Sequence, residues 1–600
     1  MSAPNRNIAF ALALFDELAR AGVREVCVCP GSRSAPLAIA AARTPALRVR
    51  THLDERSAGF FALGLAKASG APVAVLCSSG TAAANFLPAL VEANLAQVPL
   101  IALTADRPPE LRDWGAAQTI DQQRLFGSHV RWFAELPLPE PNAALLRQLR
   151  ATAARAVAVA GGPPAGPVHL NVPLREPLDP RADAGDREAL AALADEPGLH
   201  GRDRGPYLRV SPAERAPDPA LVRRWAAELS ASRHGVLLVG ASECSAALGV
   251  ELARLSRALG WPILADAASG LRGGAHVARA PLLGAYDAIL RADRFAAAHT
   301  PDLVLRFGAA PTSKATATWI ERSPGTDLRI VDSDAVFRDP AHRAAEIARE
   351  EPARLCAELA DALERRGRSG SGRWLAEFVD AEARAQRALA AGIAAEPELF
   401  APGAARVLGA SWPAGGTIFA SNSMSIRDLD GFLAPRVAPL RVLASRGANG
   451  IDGITSAALG AAAASDAPLA CLIGDLAFLH DAGGLLAARR LGLSATFLVV
   501  NDDGGGIFSY LPVAAFGADA DFERLFALPH GIDLAELTAF GGGRHARVSK
   551  RDELEAELDR ARGEGGLQVL ELRVDREANV AHHRALWAAA ASVVDGGAGR

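Results

Sequence analysis

The chain is poor in cysteine, with 6 in 600 residues. That density excludes a disulfide scaffold, which crowds cysteines into short secreted chains. No CxxC pair occurs, so a thiolate zinc site is not expected. Cys27 and Cys29 fall on a predicted strand, where their side chains are read as facing opposite sides. Reduced thiols and a cytoplasmic location are the default expectation. Positive charge is not in excess: 64 Lys and Arg against 68 Asp and Glu leave a net charge of −4. No overall field therefore draws the chain to nucleic acid or to an anionic membrane. Long apolar runs are missing too. The Ala/Leu stretch near residues 9–14 is short and runs into Asp16 and Glu17, so neither a signal peptide nor a membrane span is expected. A GxGxxG fingerprint is absent after the strand predicted at Gly235–Val239, where Gly240-Ala241-Ser242 stands instead. A bound dinucleotide is thus poorly supported.

What is present is a long, half-apolar chain with room for about three domains of 150–200 residues. Short apolar runs alternate with helical patterns throughout. They occur at Glu25–Cys29, Leu47–His52, Val73–Cys77, Leu100–Thr104 and Val168–Val172. A second set follows at Gly235–Val239, Pro262–Ala265, Leu303–Phe307 and Leu328–Val331. A third lies at Thr417–Ala420, Arg441–Ala444, Leu469–Ile473, Ala495–Val500 and Gln568–Val574. This rhythm predicts an α/β protein of three doubly wound parallel sheets. The expected domains are 1–185, 205–365 and 374–600. Glu176 to about Pro219 reads as a linker with one short helix near Glu188–Ala194, Arg365–Arg373 as a flexible connector, and Asp595–Arg600 as a disordered tail.

Polar chemistry gathers where the predicted strands end, the edge on which open α/β sheets bind ligands. In the third unit one strand ends in Gly474-Asp475. The next ends in Asn501-Asp502-Asp503 and runs into Gly504-Gly505-Gly506. A helix containing Gly483-Gly484-Leu485-Leu486 is expected between them. Hard carboxylate oxygens beside a glycine turn suit Mg²⁺ (or Mn²⁺) shared with a phosphate. Strand-end acids of any α/β protein are the plain alternative. In the first unit the strand ends carry Gly31-Ser32-Arg33, Asp54-Glu55, Ser79-Gly80-Thr81 and Asp106-Arg107.

Gly-Asp followed just under thirty residues later by Asn-Asp resembles the diphosphate-binding motif of thiamine diphosphate enzymes. The resemblance extends through GSRS (31–34), HLDERSAGFFALGLAK (52–67), SSGTAAAN (78–85), TADRPPELRDWGAAQTIDQ (104–122), SNSMSIRD (421–428), SRGANGIDGITSA (445–457) and NDDGGGIFSYLP (501–512). It covers both outer units, and the middle unit only weakly. Within that family the chain is similar to the carboligases of menaquinone biosynthesis. These decarboxylate 2-oxoglutarate and add the four-carbon unit to isochorismate.

The resemblance implies the following roles. Asp475, Asp502 and the carbonyl of Gly504 hold the metal, where many relatives have Asn in place of Asp502. Glu55 faces the aminopyrimidine from another domain and activates the cofactor. Gly80 and Thr81 lie against the pyrimidine. Ile451 supports the bent cofactor, and Ile507 and Phe508 cover the reacting carbon. Both substrates are dicarboxylates, which Arg33, Arg107, Arg427 and Arg446 would bind as forks. Lys314 is expected to add a contact from the middle unit. Ser32, Gln118, Asn422, Ser423 and Leu511 complete the expected substrate shell. The family also implies at least a homodimer with sites shared between chains. Two alternatives remain: another thiamine diphosphate 2-oxo acid carboligase such as an acetohydroxyacid synthase relative, or a non-catalytic cofactor-binding protein on the same fold.

Overall fold

The computed structural model describes residues 3–211, 216–242, 245–334, 336–366 and 372–597. Its frame is three parallel six-stranded sheets. The first contains β1 (Glu25–Val28), β2 (Arg48–Thr51), β3 (Val73–Cys77), β4 (Leu100–Asp106), β5 (Trp132–Glu135) and β6 (Val168–Pro173), in the order β2-β1-β3-β4-β6-β5. The second contains β7 (Gly235–Val239), β8 (Ile263–Ala265), β9 (Leu282–Leu283), β10 (Leu303–Phe307), β11 (Asp327–Val331) and β12 (Ala344–Ala348). Its order, β12-β11-β10-β7-β8-β9, is that of a dinucleotide-binding sheet. The third contains β13 (Thr417–Ala420), β14 (Arg441–Ala444), β15 (Leu469–Gly474), β16 (Ala495–Asn501), β17 (Arg544–Val548) and β18 (Leu567–Arg573). Its order, β14-β13-β15-β16-β18-β17, repeats the topology of the first.

Helices cover both faces, so central strands such as β3 and β4 are buried at every position. Four strands escape the sequence reading: β5, β9, β12 and β17. Three of them (Trp132-Phe-Ala-Glu135, Ala344-Ala-Glu-Ile-Ala348 and Arg544-His-Ala-Arg-Val548) are edge strands, mostly half-buried, and show no continuous apolar run. The fourth, β9, is only two residues long.

Other expectations are corrected. The helix expected around Gly483 is two helices, Asp475–His480 and Leu485–Leu491, separated by a 3₁₀ turn at Ala482–Gly484. Asp481 turns out of the helix to accept the Ser456 amide at 2.6 Å. A Cβ at Gly484 would stand 2.3 Å from Ser456 Oγ, so the break also lets two segments approach closely. The first linker holds two short helices, Ala184–Ala191 and Pro197–His200. Buried Arg150 ties the second one down by donating to the carbonyls of Gly198 and Leu199. Asp595 is helical, within Arg576–Gly597, and the rest of the expected tail, 598–600, lies outside the described residues, as does 367–371 of the connector. Cys27 and Cys29 share one core instead of facing apart, because strand positions two residues apart point the same way.

That core joins the first and third sheets through helices Glu55–Ser69 and Ile454–Ala462. The two helices cross at glycines. A Cβ at Gly64 would stand 1.8 Å from the Ala457 carbonyl oxygen, and one at Gly460 would stand 2.0 Å from that of Phe61. Both obstacles are backbone, which cannot swing aside. Gly64→Ala should therefore destabilise the chain by about 1–3 kcal/mol or more, as overpacked cores do. A thermal melt at or above the wild-type midpoint would show that the crossing is slack.

Candidate active site

In the third sheet the strand order reverses between β13 and β15, and the crevice beyond their carboxyl ends is the natural ligand position. Asp475 opens the helix that follows β15 and is 2% exposed. Its Oδ1 accepts from the Leu476 amide at 2.7 Å and its Oδ2 from the Gly504 amide at 2.8 Å. Gly504 itself has φ 144° and packs on residue 527, where a Cβ would meet the Ala527 carbonyl oxygen at 2.0 Å. Only glycine fits there. Asp502 lies in the same cluster. Burial, and then repulsion from Asp475, push its carboxyl up to about 7. Its Oδ1 is buried with no hydrogen-bond partner.

Two carboxylates that oppose each other's ionisation, one with an orphaned buried oxygen, form a donor set suited to a divalent cation. Among the described residues no trio of His, Cys, Asp and Glu side chains converges for a metal.

Two neighbours of this cluster carry no sequence signal. His530 Nε2 lies 3.1 Å from Asp475 Oδ2. The Ile532 amide donates to His530 Nδ1 at 2.9 Å, so Nε2 bears the proton and donates to Asp475. Asp503 Oδ1 holds the same loop through the amides of His530 and Gly531, at 3.1 and 2.8 Å. Arg576 reaches back to the carbonyls of Asp502 and Asp503, at 3.4 and 3.2 Å. Both residues are distant in sequence and sit in no motif, and only folding brings them to Asp475 and Asp502.

The polar residues expected around the substrates fall into two clusters. In the first sheet, Arg107 donates to Ser79 Oγ and to the Gln118 carbonyl, while Gln118 Nε2 donates to the Ser79 carbonyl at 3.1 Å. Gly80 lies against Gln118, and the Gln122 side chain accepts its amide at 2.8 Å. Buried Arg33 donates to the Leu174 carbonyl at 2.9 Å, and its Nε has no partner. Burial and the nearby Arg107 lower its pKa. Ser32 and Thr81 are exposed beside this group in sequence.

In the third sheet, Arg446 donates to Asn422 Oδ1 at 2.9 Å, Asn422 Nδ2 donates to the carbonyls of Ser445 and Gly450, and Arg427 donates to the Ser423 carbonyl. Burial, and then Arg446, lower the pKa of Arg427. Ser423 and Gln118 have φ of 65° and 56°, backbone conformations that non-glycine residues rarely adopt and that concentrate at functional sites. Ile451, Ile507 and Phe508 are half-buried and Leu511 is exposed. Phe508 lies over the glycine turn, 2.7 Å from where a Gly505 Cβ would be.

Two expected members stand apart. Lys314 is exposed at the start of helix Lys314–Glu321. It lines a cavity of about 680 Å³ with Arg291, Arg322 and Trp587. Glu55 is half-buried at the start of helix Glu55–Ser69. There the next residue, Arg56, donates to the His480 carbonyl at 3.0 Å. Glu55 thus stands beside the far end of the helix that Asp475 begins, and six residues of helix span about 9 Å. Among the described residues no hydrogen bond or ion pair joins Glu55 to Asp475 or Asp502 in the same chain.

Paired sheets of one topology, with an acid-and-glycine cradle on one and a strand-end glutamate on the other, define the class of thiamine-dependent enzymes. Family comparison agrees along the chain. Residues 8–125 match "Thiamine pyrophosphate enzyme, N-terminal TPP binding domain", 201–419 match "Middle domain of thiamine pyrophosphate", and 432–572 match "Thiamine pyrophosphate enzyme, C-terminal TPP binding domain". A protein of Chloroflexus aurantiacus named 2-succinyl-5-enolpyruvyl-6-hydroxy-3-cyclohexene-1-carboxylate synthase is 48% identical over 96% of this chain and 95% of its own. Proteins of the same name from Myxococcus xanthus and Geobacillus kaustophilus are 46% and 45% identical, over 99% and 96% of this chain and 99% and 97% of theirs. The chain belongs to this synthase family of thiamine pyrophosphate enzymes.

Proposed function

We propose that this protein decarboxylates 2-oxoglutarate and joins the four-carbon unit to isochorismate, as a homodimer with thiamine diphosphate and Mg²⁺ or Mn²⁺ at each shared site. The observation that carries the reading is the Asp475–Asp502 cradle with its orphaned oxygen, set beside a glycine turn that only glycine can make. The cation would be held by Asp475, Asp502 and the Gly504 carbonyl; Asp475 Oδ1, which accepts only the Leu476 amide, keeps a lone pair for it. Thiamine diphosphate, when bound, supplies the electron sink on which a 2-oxo acid loses CO₂.

The chain supplies the rest. Glu55 holds a proton at the pyrimidine ring nitrogen. Gly80, Thr81 and Ile451 orient the cofactor, and Ile507 and Phe508 exclude water from the reacting carbon. The family resemblance, with Glu55 and Asp475 on different domains, favours a site completed by a second chain. The expected domain limits, 1–185, 205–365 and 374–600, stay part of this reading. No helix among the described residues is long and apolar enough to cross a membrane.

The test is CO₂ release from 2-oxoglutarate with Mg²⁺ and thiamine diphosphate, with and without isochorismate. Turnover of pyruvate with none of 2-oxoglutarate would replace this reading by that of another carboligase.

The arginines should act on substrates and not on cofactor. A charge-assisted hydrogen bond contributes roughly 1.5–3 kcal/mol, or about one to two decades. Arg33→Ala, Arg107→Ala and Arg427→Ala should each raise a Michaelis constant for 2-oxoglutarate or isochorismate by that much, at constant thiamine diphosphate affinity. Separate constants for the two substrates would assign each arginine, with Ser32, Gln118, Asn422, Ser423, Arg446, Leu511 and Lys314 tested the same way. Lost cofactor affinity with normal substrate constants would make these residues structural.

A further inference from the structure

The last helix, Arg576–Gly597, touches the candidate site along one stripe. Arg576, Asn579, His583 and Trp587 follow one another at helical spacing. Arg576 holds the carbonyls of Asp502 and Asp503, and Asn579 accepts the Ala401 amide at 3.2 Å. The helix's far end, Leu586, Ala590 and Val594, packs into the core of the middle sheet.

Between these anchors, His583 is fully buried. Its Nε2 lies 2.6 Å from Asp428 Oδ1, and that side chain is 3% exposed. A carboxylate only accepts, so Nε2 carries a proton and the ring is held in one orientation. The Asn579 carbonyl also only accepts, so Nδ1 donates to it at 2.7 Å, and the Tyr510 hydroxyl oxygen lies 2.8 Å from the same nitrogen. Burial holds the Tyr510 phenol well above its ordinary range, so it keeps its proton. Trp587 packs against both rings, with centroids 5.6 Å from His583 and 6.4 Å from Tyr510.

The two ends of this chain of contacts lie in different parts of the site. Asp428 follows Arg427 on helix Met424–Phe432, and Tyr510 ends the turn Gly506–Tyr510 that carries Ile507 and Phe508. Buried polar pairs often add little stability over an apolar filling of similar volume. What the pair adds is direction. We propose that Asp428, His583 and Tyr510 are positioning residues that lock the Phe508 turn to the helix bearing Arg427. The kinetic consequence rests on the function proposed above, whereas the mechanical one does not.

Hydrogen exchange of the full-length protein tests the lock directly. Tyr510→Phe removes one oxygen, and Asp428→Ala removes the acceptor of the imidazole at the other end. Both should speed exchange at 506–512 by about tenfold, the scale of one ordinary buried hydrogen bond, with β3 and β4 unchanged. In turnover, Tyr510→Phe should release more of the four-carbon aldehyde relative to coupled product, by a similar factor, at an unchanged Michaelis constant for 2-oxoglutarate. Unchanged exchange at 506–512 in Tyr510→Phe overturns the proposal, whether or not Asp428→Ala folds. A wild type inactive on 2-oxoglutarate would instead sink the proposed function, and the exchange result would still decide the lock.

Discussion

Asp475→Ala should lose metal-dependent binding of thiamine diphosphate. Asp475 is buried, accepts the Leu476 and Gly504 amides, and faces the Asp502 carboxyl. Removing it takes away a charged ligand and the anchor of the glycine turn together. Truncating one partner of a buried ionic set costs about 3–5 kcal/mol, which is about two to three and a half decades in affinity. Calorimetry with Mg²⁺ reads the loss, and Asp475→Asn, which keeps an oxygen, should fall between wild type and Asp475→Ala. Unchanged cofactor affinity in Asp475→Ala would place the cation elsewhere.

Glu55→Gln should fold, bind cofactor and turn over poorly. The substitution keeps shape at a half-buried helix start but removes the carboxyl proposed to hold the pyrimidine proton. General acid–base groups contribute about 10²–10⁴-fold. Full activity in Glu55→Gln would mean that another residue activates the cofactor. The same variant probes assembly. Within one chain Arg56, the residue after Glu55, reaches the His480 carbonyl at the end of the Asp475–His480 helix. If sites are shared as proposed, mixing Glu55→Gln with Asp475→Ala should restore part of the activity once subunits exchange, because a hybrid dimer would contain one intact site. A mixture that exchanges and stays dead would argue for sites within single chains.

Metal-site candidates could be read from the chain because they are local. Gly474-Asp475 and Asn501–Gly506 each end a buried strand, and parallel strands bring their carboxyl ends to one edge whatever their length. The same rule placed Arg33, Glu55, Gly80 and Arg107 on the matching edge of the first sheet. It failed for β5, β12 and β17, whose half-exposed edge positions carry no apolar run. It failed again at Gly483, where helix periodicity continues through a break made by a tertiary bond from Asp481 to Ser456.

His530, Arg576, His583 and Tyr510 mark the opposite limit. Each acts through a partner 55 or more residues away: Asp475, the Asp502–Asp503 turn, Asp428 and His583 respectively. No spacing rule predicts such pairs, since they arise only when the third sheet has folded and its last helix has packed back across it. Strand ends, turn glycines and charge types are properties of short segments, and hydrophobic burial alone orders them on a sheet edge. Which histidine meets which carboxylate is decided by packing between distant helices and loops. There a shift of one helical turn, about 5.4 Å, would break every one of these bonds while leaving the sequence pattern intact.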